Sequence, residues 1–219
     1  IWNQEVDRYS VKNISYDLNG NITDMQRYGV TGFDNQQYNY GLMDDLDYSY
    51  DGNRLKAVND LIPDAAFTGN DFREGEITQD TEYIYDNNGN MTSDINKGIT
   101  VTYNHLNLPE VVDFGNNKII EYIYTAGGIK IKKAVTIGST TNSQHYAGNI
   151  IYNNEQLEYM LTNEGRIVKD SDDFKYQYFL KDHIGNVRVV FGEDAGGNAE
   201  ILKEDHYYPF GLTYMGELN

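Results

Sequence analysis

Apolar and polar residues alternate with a period of two through much of the chain. Ile99, Val101 and Tyr103 share one side of an extended segment while Thr100 and Thr102 take the other, and Tyr122 and Tyr124 oppose Glu121, Ile123 and Thr125. The same alternation sets Ile129 and Ile131 against Lys130 and Lys132, and Val187, Val189 and Phe191 against Arg188 and Val190. Successive side chains of a strand point to opposite faces, so the pattern predicts strands. No window carries a helical period.

Turn-forming residues punctuate these segments. Gly52, Gly69, Gly89, Asn107, Gly128, Gly148, Gly165 and Gly185 follow one another at separations of 17 to 21 residues. A unit of about 19 residues holds two short strands and two tight turns. Within the units one motif returns: Tyr16-Asp17-Leu18-Asn19-Gly20-Asn21, then Tyr50-Asp51-Gly52-Asn53, then Tyr85-Asp86-Asn87-Asn88-Gly89-Asn90. Gly and Asn tolerate positive φ, and an Asp three residues before the Gly can bond its own turn backbone. Tyr suits the strand end just before the turn, where its ring packs and its hydroxyl reaches water or a neighbouring strand. The pattern weakens in two places, so Leu61 to Glu76 is expected to be a long loop and Thr136 to Gln144 a second, polar and flexible one.

Composition narrows the function classes. With 17 basic and 34 acidic residues the formal charge is −17, which disfavours a nucleic-acid partner because phosphate binding rests on basic patches. The apolar runs are far shorter than the roughly 20 residues of a membrane-spanning helix, and the first residues lack the basic and apolar stretches of a secretion signal. The absence of Cys removes disulfides and thiolate chemistry. Disorder is disfavoured by 13% aromatic content, supplied mostly by 20 Tyr, and the 25 Asn and 21 Gly fit a turn-rich protein.

The Tyr-Asp…Gly-Asn units resemble the YD repeats of RHS proteins, which are related to those of teneurins. The stretch Tyr178-Phe179-Leu180-Lys181-Asp182-His183-Ile184-Gly185-Asn186-Val187-Arg188, followed by Asp205-His206-Tyr207-Tyr208-Pro209-Phe210-Gly211, resembles the start of the RHS repeat-associated core. The resemblance implies antiparallel sheets that spiral into a hollow shell enclosing a C-terminal effector or toxin. It also implies a repeat array over residues 1–175, continuous with the start of the core over 176–219. The Asp-Pro-containing motif of self-cleaving members does not occur before Asn219, so the resemblance carries neither cleavage nor toxicity to these residues.

Sharper chemistries compete with this structural expectation. Asp17-x-Asn19-x-Asn21 and Asp86-x-Asn88-x-Asn90 place oxygens as calcium loops do, yet the twelfth position holds Tyr28 or Lys97 where an EF-hand needs an acid. The pairs Asp182-His183 and Asp205-His206 suggest metal or acid–base work, but adjacent strand residues face opposite ways. No nucleophile elbow, phosphate loop or zinc helix is present. The best rival is carbohydrate binding, with exposed rings such as those of Tyr207 and Tyr208 stacking on sugars. The acceptor-like sequences at Asn13, Asn21 and Asn90 fall mainly in the repeated turn and are taken as turn residues.

The expectation is an all-β protein: a curved antiparallel sheet of YD-type hairpins forming part of a spiral β-shell, without catalytic residues, cofactor or metal. The structural positions are Tyr16, Tyr50, Tyr85, Tyr103 and Tyr124 as packing anchors, with Asp17, Asp51, Asp86 and Asp182 closing turns. Gly20, Gly52, Gly89, Gly148 and Gly185 permit those turns, with Asn21, Asn90 and Asn186 beside them, and Arg188, Pro209 and Gly211 belong to the C-terminal motif. Its partners are the rest of the same polypeptide, flanking repeats and effector alike, with glycans as the alternative. The setting is secreted or cell-surface, and free sheet edges invite self-association.

Overall fold

The computed structural model describes residues 8–62, 71–75, 80–171 and 173–213. These residues form an all-β, antiparallel protein with sheets that do not close, and one short 3-10 turn at Pro209–Gly211. Two compact units are present: Ile1–Gly98 together with Tyr207–Asn219, and Ile99–His206.

In the first unit, β1 (Val11–Tyr16), β2 (Ile22–Asp34), β3 (Gln37–Asp51) and β4 (Arg54–Asp60) pair in chain order, and β5 (Tyr83–Tyr85) forms a hairpin with β6 (Met91–Asp94). The β2–β3 hairpin turns at Asn35 and Gln36, both at positive φ, and is longer than the 19-residue period predicts because no glycine interrupts it between Gly20 and Gly52 except within its strands. Leu46, Val58 and Tyr83 form the buried cluster, with Met25, Tyr48, Leu55, Phe72, Tyr85 and Met91 packed on it.

Buried acids stitch this core. Asp44 is 0% exposed; its Oδ2 accepts from Arg27 Nε at 2.5 Å and its Oδ1 from the Phe72 amide at 2.6 Å. Glu82 covers the side of β4 turned away from β3: its Oε2 accepts from the Val58 amide at 2.9 Å, and its own amide donates to the Lys56 carbonyl at 2.8 Å. An otherwise open row of backbone donors and acceptors is thereby closed.

The second unit contains β7 (Ile99–Tyr103), β8 (Pro109–Asp113), β9 (Lys118–Tyr124), β10 (Lys130–Ile137), β11 (Thr140–Ala147), β12 (Ile150–Asn153), β13 (Gln156–Leu161), β14 (Gly165–Asp170), β15 (Asp173–Lys181), β16 (Val187–Glu193) and β17 (Ala199–Glu204). Each strand pairs antiparallel with its chain neighbour, as short turns dictate. Ile99 and Val101 are buried and Thr100 and Thr102 exposed, as the alternation predicts. Elsewhere burial is thin: Ala134, Ile151 and Val190 are covered, while Ile123, Ile137, Phe174, Leu180 and Ile201 are exposed.

One loop expectation is corrected. Thr136 to Gln144 is the tip of the β10–β11 hairpin rather than a flexible loop: Ile137 pairs with Thr140 around Gly138, and Thr136 Oγ1 lies 2.8 Å from Thr141 Oγ1. Polar residues on both faces hid this strand pair from a pattern that depends on one buried face. Gly165 closes the turn from Thr162, whose amide donates to its carbonyl at 3.0 Å, and it also opens β14, where its backbone lies against Gln177 and a Cβ would collide with the Gln177 carbonyl. Of the Leu61–Glu76 loop, Leu61, Ile62 and residues 71–75 are described and carry no strand; the remainder, with Gly69, lies outside the described residues.

Candidate functional site

The repeated motif folds as a turn that bonds to itself. In Asp17–Asn21 the Asp17 amide donates to the Asn21 carbonyl at 2.9 Å and the Gly20 amide to the Asp17 carbonyl at 3.1 Å. Asp17 Oδ1 accepts from the amides of Asn19 and Asn21, both at 2.8 Å, and Oδ2 from Asn21 Nδ2 at 2.8 Å. Gly20 takes the one positive-φ position, φ 85°, that this three-residue hairpin loop requires.

The same arrangement recurs in Asp86–Asn90 and Asp182–Asn186, with Gly89 at φ 87° and Gly185 at φ 95°. Asp194–Asn198 is a further copy that the glycine markers passed over. Its signal was present in the sequence, since Asp194 precedes Gly197-Asn198 as Asp182 precedes Gly185-Asn186. Asn104 and Thr125 replace the Asp in two more such turns.

These contacts hold the carboxyls below their usual range. At Asp17 and Asp86 the amide of the following Asn is the largest cause, with turn backbone amides adding to it. At Asp182 desolvation pushes upward but is outweighed by the Asn186 amide and the turn backbone, and at Asp194 the Asn198 backbone amide leads. Every carboxylate oxygen of Asp17 and Asp86 accepts a hydrogen bond from its own turn.

Tyrosines fasten neighbouring hairpins. Tyr50 donates its hydroxyl to the Ile22 carbonyl at 2.8 Å, Tyr85 to the Leu55 carbonyl at 3.0 Å and Tyr124 to the Pro109 carbonyl at 2.9 Å. Each acceptor is among the first residues after a preceding turn. Burial raises the pKa of all three hydroxyls, which keeps them protonated donors. Asn21 Nδ2 also reaches Asn53 Oδ1 at 3.3 Å, tying the first turn to the one at Gly52, φ 62°. Asp51 ends β3, exposed, opposite Arg54. Tyr16 closes β1 but is 57% exposed, Tyr103 closes β7 half-buried, and Gly148, φ 65°, turns β11 into β12.

The C-terminal motif divides between the two units. In the second, Arg188 Nη2 lies 3.0 Å from His206 Nδ1, and His206 Nε2 lies 3.2 Å from Glu204. His206 thus meets the carboxylate two residues away on its own face, while Asp205 pairs with Lys203 at 2.7 Å. In the first, Tyr208 is 4% exposed, which takes it out of the open rings that the carbohydrate alternative invoked. Its ring lies under the Arg27 guanidinium at 5.3 Å and its hydroxyl donates to the Tyr28 carbonyl at 3.0 Å.

Pro209 starts the 3-10 turn and Gly211, φ 86°, closes it by donating to the Tyr208 carbonyl. Sequence reasoning missed Gly29, whose missing Cβ leaves room for Met43 Sδ and the Tyr208 hydroxyl. It also missed Arg27, Asp44 and Glu82, because ion pairing between distant strands leaves no local pattern.

Neither a protein-family model nor a curated protein sequence matches the chain. Among solved structures it is similar to a chain of the Photorhabdus luminescens Tc holotoxin pore carrying a TccC3 mutation, at 14% identity and TM-score 0.41, over 93% of this chain and 16% of that one. It is also similar to chains in the crystal structures of TcdB2-TccC3, at 15% identity and TM-score 0.42, and of TcdB2-TccC3-Cdc42, at 15% identity and TM-score 0.41. In both, 97% of this chain is covered and 16% of the other.

Proposed function

We propose that the chain is a wall segment of a large RHS-type polypeptide, exported or surface-exposed, whose shell encloses a C-terminal effector, and that it performs no chemistry of its own. The observation that carries this reading is the meander from β7 to β17, in which every strand pairs with its chain neighbour while large apolar side chains stay open. A sheet that is stabilised hairpin by hairpin extends by adding hairpins. Its open apolar side chains call for further chain to cover them. The self-bonded turns and the tyrosine clasps are the joints of such a wall. The YD-like sequence supplies the link to containment.

The test is limited proteolysis and electron microscopy of the intact natural polypeptide. Containment predicts a hollow particle in which the C-terminal region resists protease until the wall is unfolded; cleavage of that region at the rate of the free domain refutes it.

One observation favours the carbohydrate alternative. Exposed Tyr176 and Tyr178 and half-buried Phe191 form an aromatic row, with ring centroids 6.4 Å and 5.4 Å apart and planes inclined by 19° and 26°. Glycan-array binding that disappears in Tyr178→Ala would establish it, and an array without hits would remove it.

A further inference from the structure

A cleft of about 370 Å³ in the first unit has apolar walls formed by Met25, Leu46, Phe72, Phe210 and Leu212, and a single carboxylate, Asp71, set into them. The Asp71 side chain is 1% exposed, and neither of its oxygens has a hydrogen-bond partner among the described residues. Its one ion pair among the described residues is with Arg73 at 3.9 Å, through a side chain that is 65% exposed. Arg27 also lines the cleft, but Asp44 neutralises it at 2.5 Å. Among the described residues, the long ion pair with the exposed Arg73 side chain is the one polar contact of the Asp71 carboxyl. A buried carboxylate without donors is costly, and the usual resolution is a cation or a set of donors.

The rim carries a second sign of a ligand. Phe210 sits at φ 73°, a conformation that a bulky residue rarely adopts, and its ring is 71% exposed at the mouth of the cleft. The segment that holds it there is fastened at both ends. Tyr208 is anchored beneath Arg27, its amide donates to the Leu212 carbonyl at 2.7 Å, and Tyr207 pairs with Thr213. Strained residues held by their surroundings gather at ligand clamps.

We propose that this cleft binds a primary alkylammonium on an apolar stem, the chemistry of a lysine side chain. The ammonium donates to both Asp71 oxygens, the methylenes lie against Met25, Leu46 and Phe72, and the Phe210 ring closes over the stem. A metal ion fits poorly, because one carboxylate among apolar side chains supplies no coordination shell and no metal-binding group of acids and histidines occurs among the described residues. The net charge of −17 favours approach of a cation. The inference does not depend on the wall reading.

The experiment titrates the 219-residue chain with n-hexylammonium and, at the same ionic strength, with n-hexanol, following amide shifts by NMR and heats by calorimetry. Saturable hexylammonium binding is expected, weakened about ten- to a hundredfold in Asp71→Asn and several-fold in Phe210→Ala, with hexanol indifferent to the Asp71 change. Equal hexylammonium affinity in wild type and Asp71→Asn, or no saturable binding, overturns the proposal. Thermal melting separates a structural role: a carboxylate kept for a ligand predicts that Asp71→Asn melts at or above wild type, and a lower melting temperature or failure to fold overturns the proposal. A short extended peptide with one lysine that binds more tightly than hexylammonium identifies a polypeptide source, and the reverse order identifies a small amine.

Discussion

A carboxylate that accepts three donors of its own turn is held most strongly when ionised. Asp17, Asp86, Asp182 and Asp194 all titrate below their ordinary range in the folded chain, so they contribute stability above the unfolded carboxylate pKa, about 4. That contribution is lost as the pH falls through the lower folded values. The urea midpoint is therefore expected to drop below about pH 4, and a variant with all four changed to Asn should show a flatter acid limb. Asn104 already closes such a turn, so Asn preserves the geometry while removing the charge. Tyr50→Phe and Tyr85→Phe each remove one clasp and should cost about 0.5–1.5 kcal/mol in urea denaturation. These positions were legible from sequence because Tyr, Asp and Gly each act within a few residues of the turn. Tyr208 was not, since its burial depends on Arg27 and Gly29, far away in the chain.

Strands are specified by their faces and by how closely their backbones must approach. Gly165 shows the second condition: a Cβ there meets the Gln177 carbonyl across β14 and β15, and backbone cannot step aside as a flexible side chain does. Gly165→Ala is expected to destabilise the chain by about 1–3 kcal/mol, with amide exchange accelerating first in β14 and β15. The 19-residue period locates the turn that Gly165 closes, but a spacing of glycines carries no sign of the close approach it also permits. The all-β class followed from alternation where one face is buried, as at Ile99 and Val101. It failed at the tip shared by β10 and β11, where Thr136 and Thr141 meet on a wet surface and no face is distinguished.

Across the whole molecule, cohesion is unevenly supplied. Asp44 joins Arg27 of β2 to the Phe72 amide, so Asp44→Ala should cost about 3–5 kcal/mol, because it strands a buried guanidinium; Arg27→Ala in the same background should add little, a coupling that a double-mutant cycle in urea reads directly. At β17 every residue is exposed and pairing is with β16 alone among the described strands. Concentration-dependent association is expected there, visible by sedimentation and suppressed by Ile201→Lys.

The order of pairing also carries a timetable. Because β8 to β17 each pair with the strand just before them, every hairpin can close as soon as it leaves a ribosome or a translocation channel, without waiting for distant sequence. Tyr208 breaks that rule. Its hydrogen bond to Tyr28 spans 180 residues, so that clasp waits until all of Ile99–His206 has emerged.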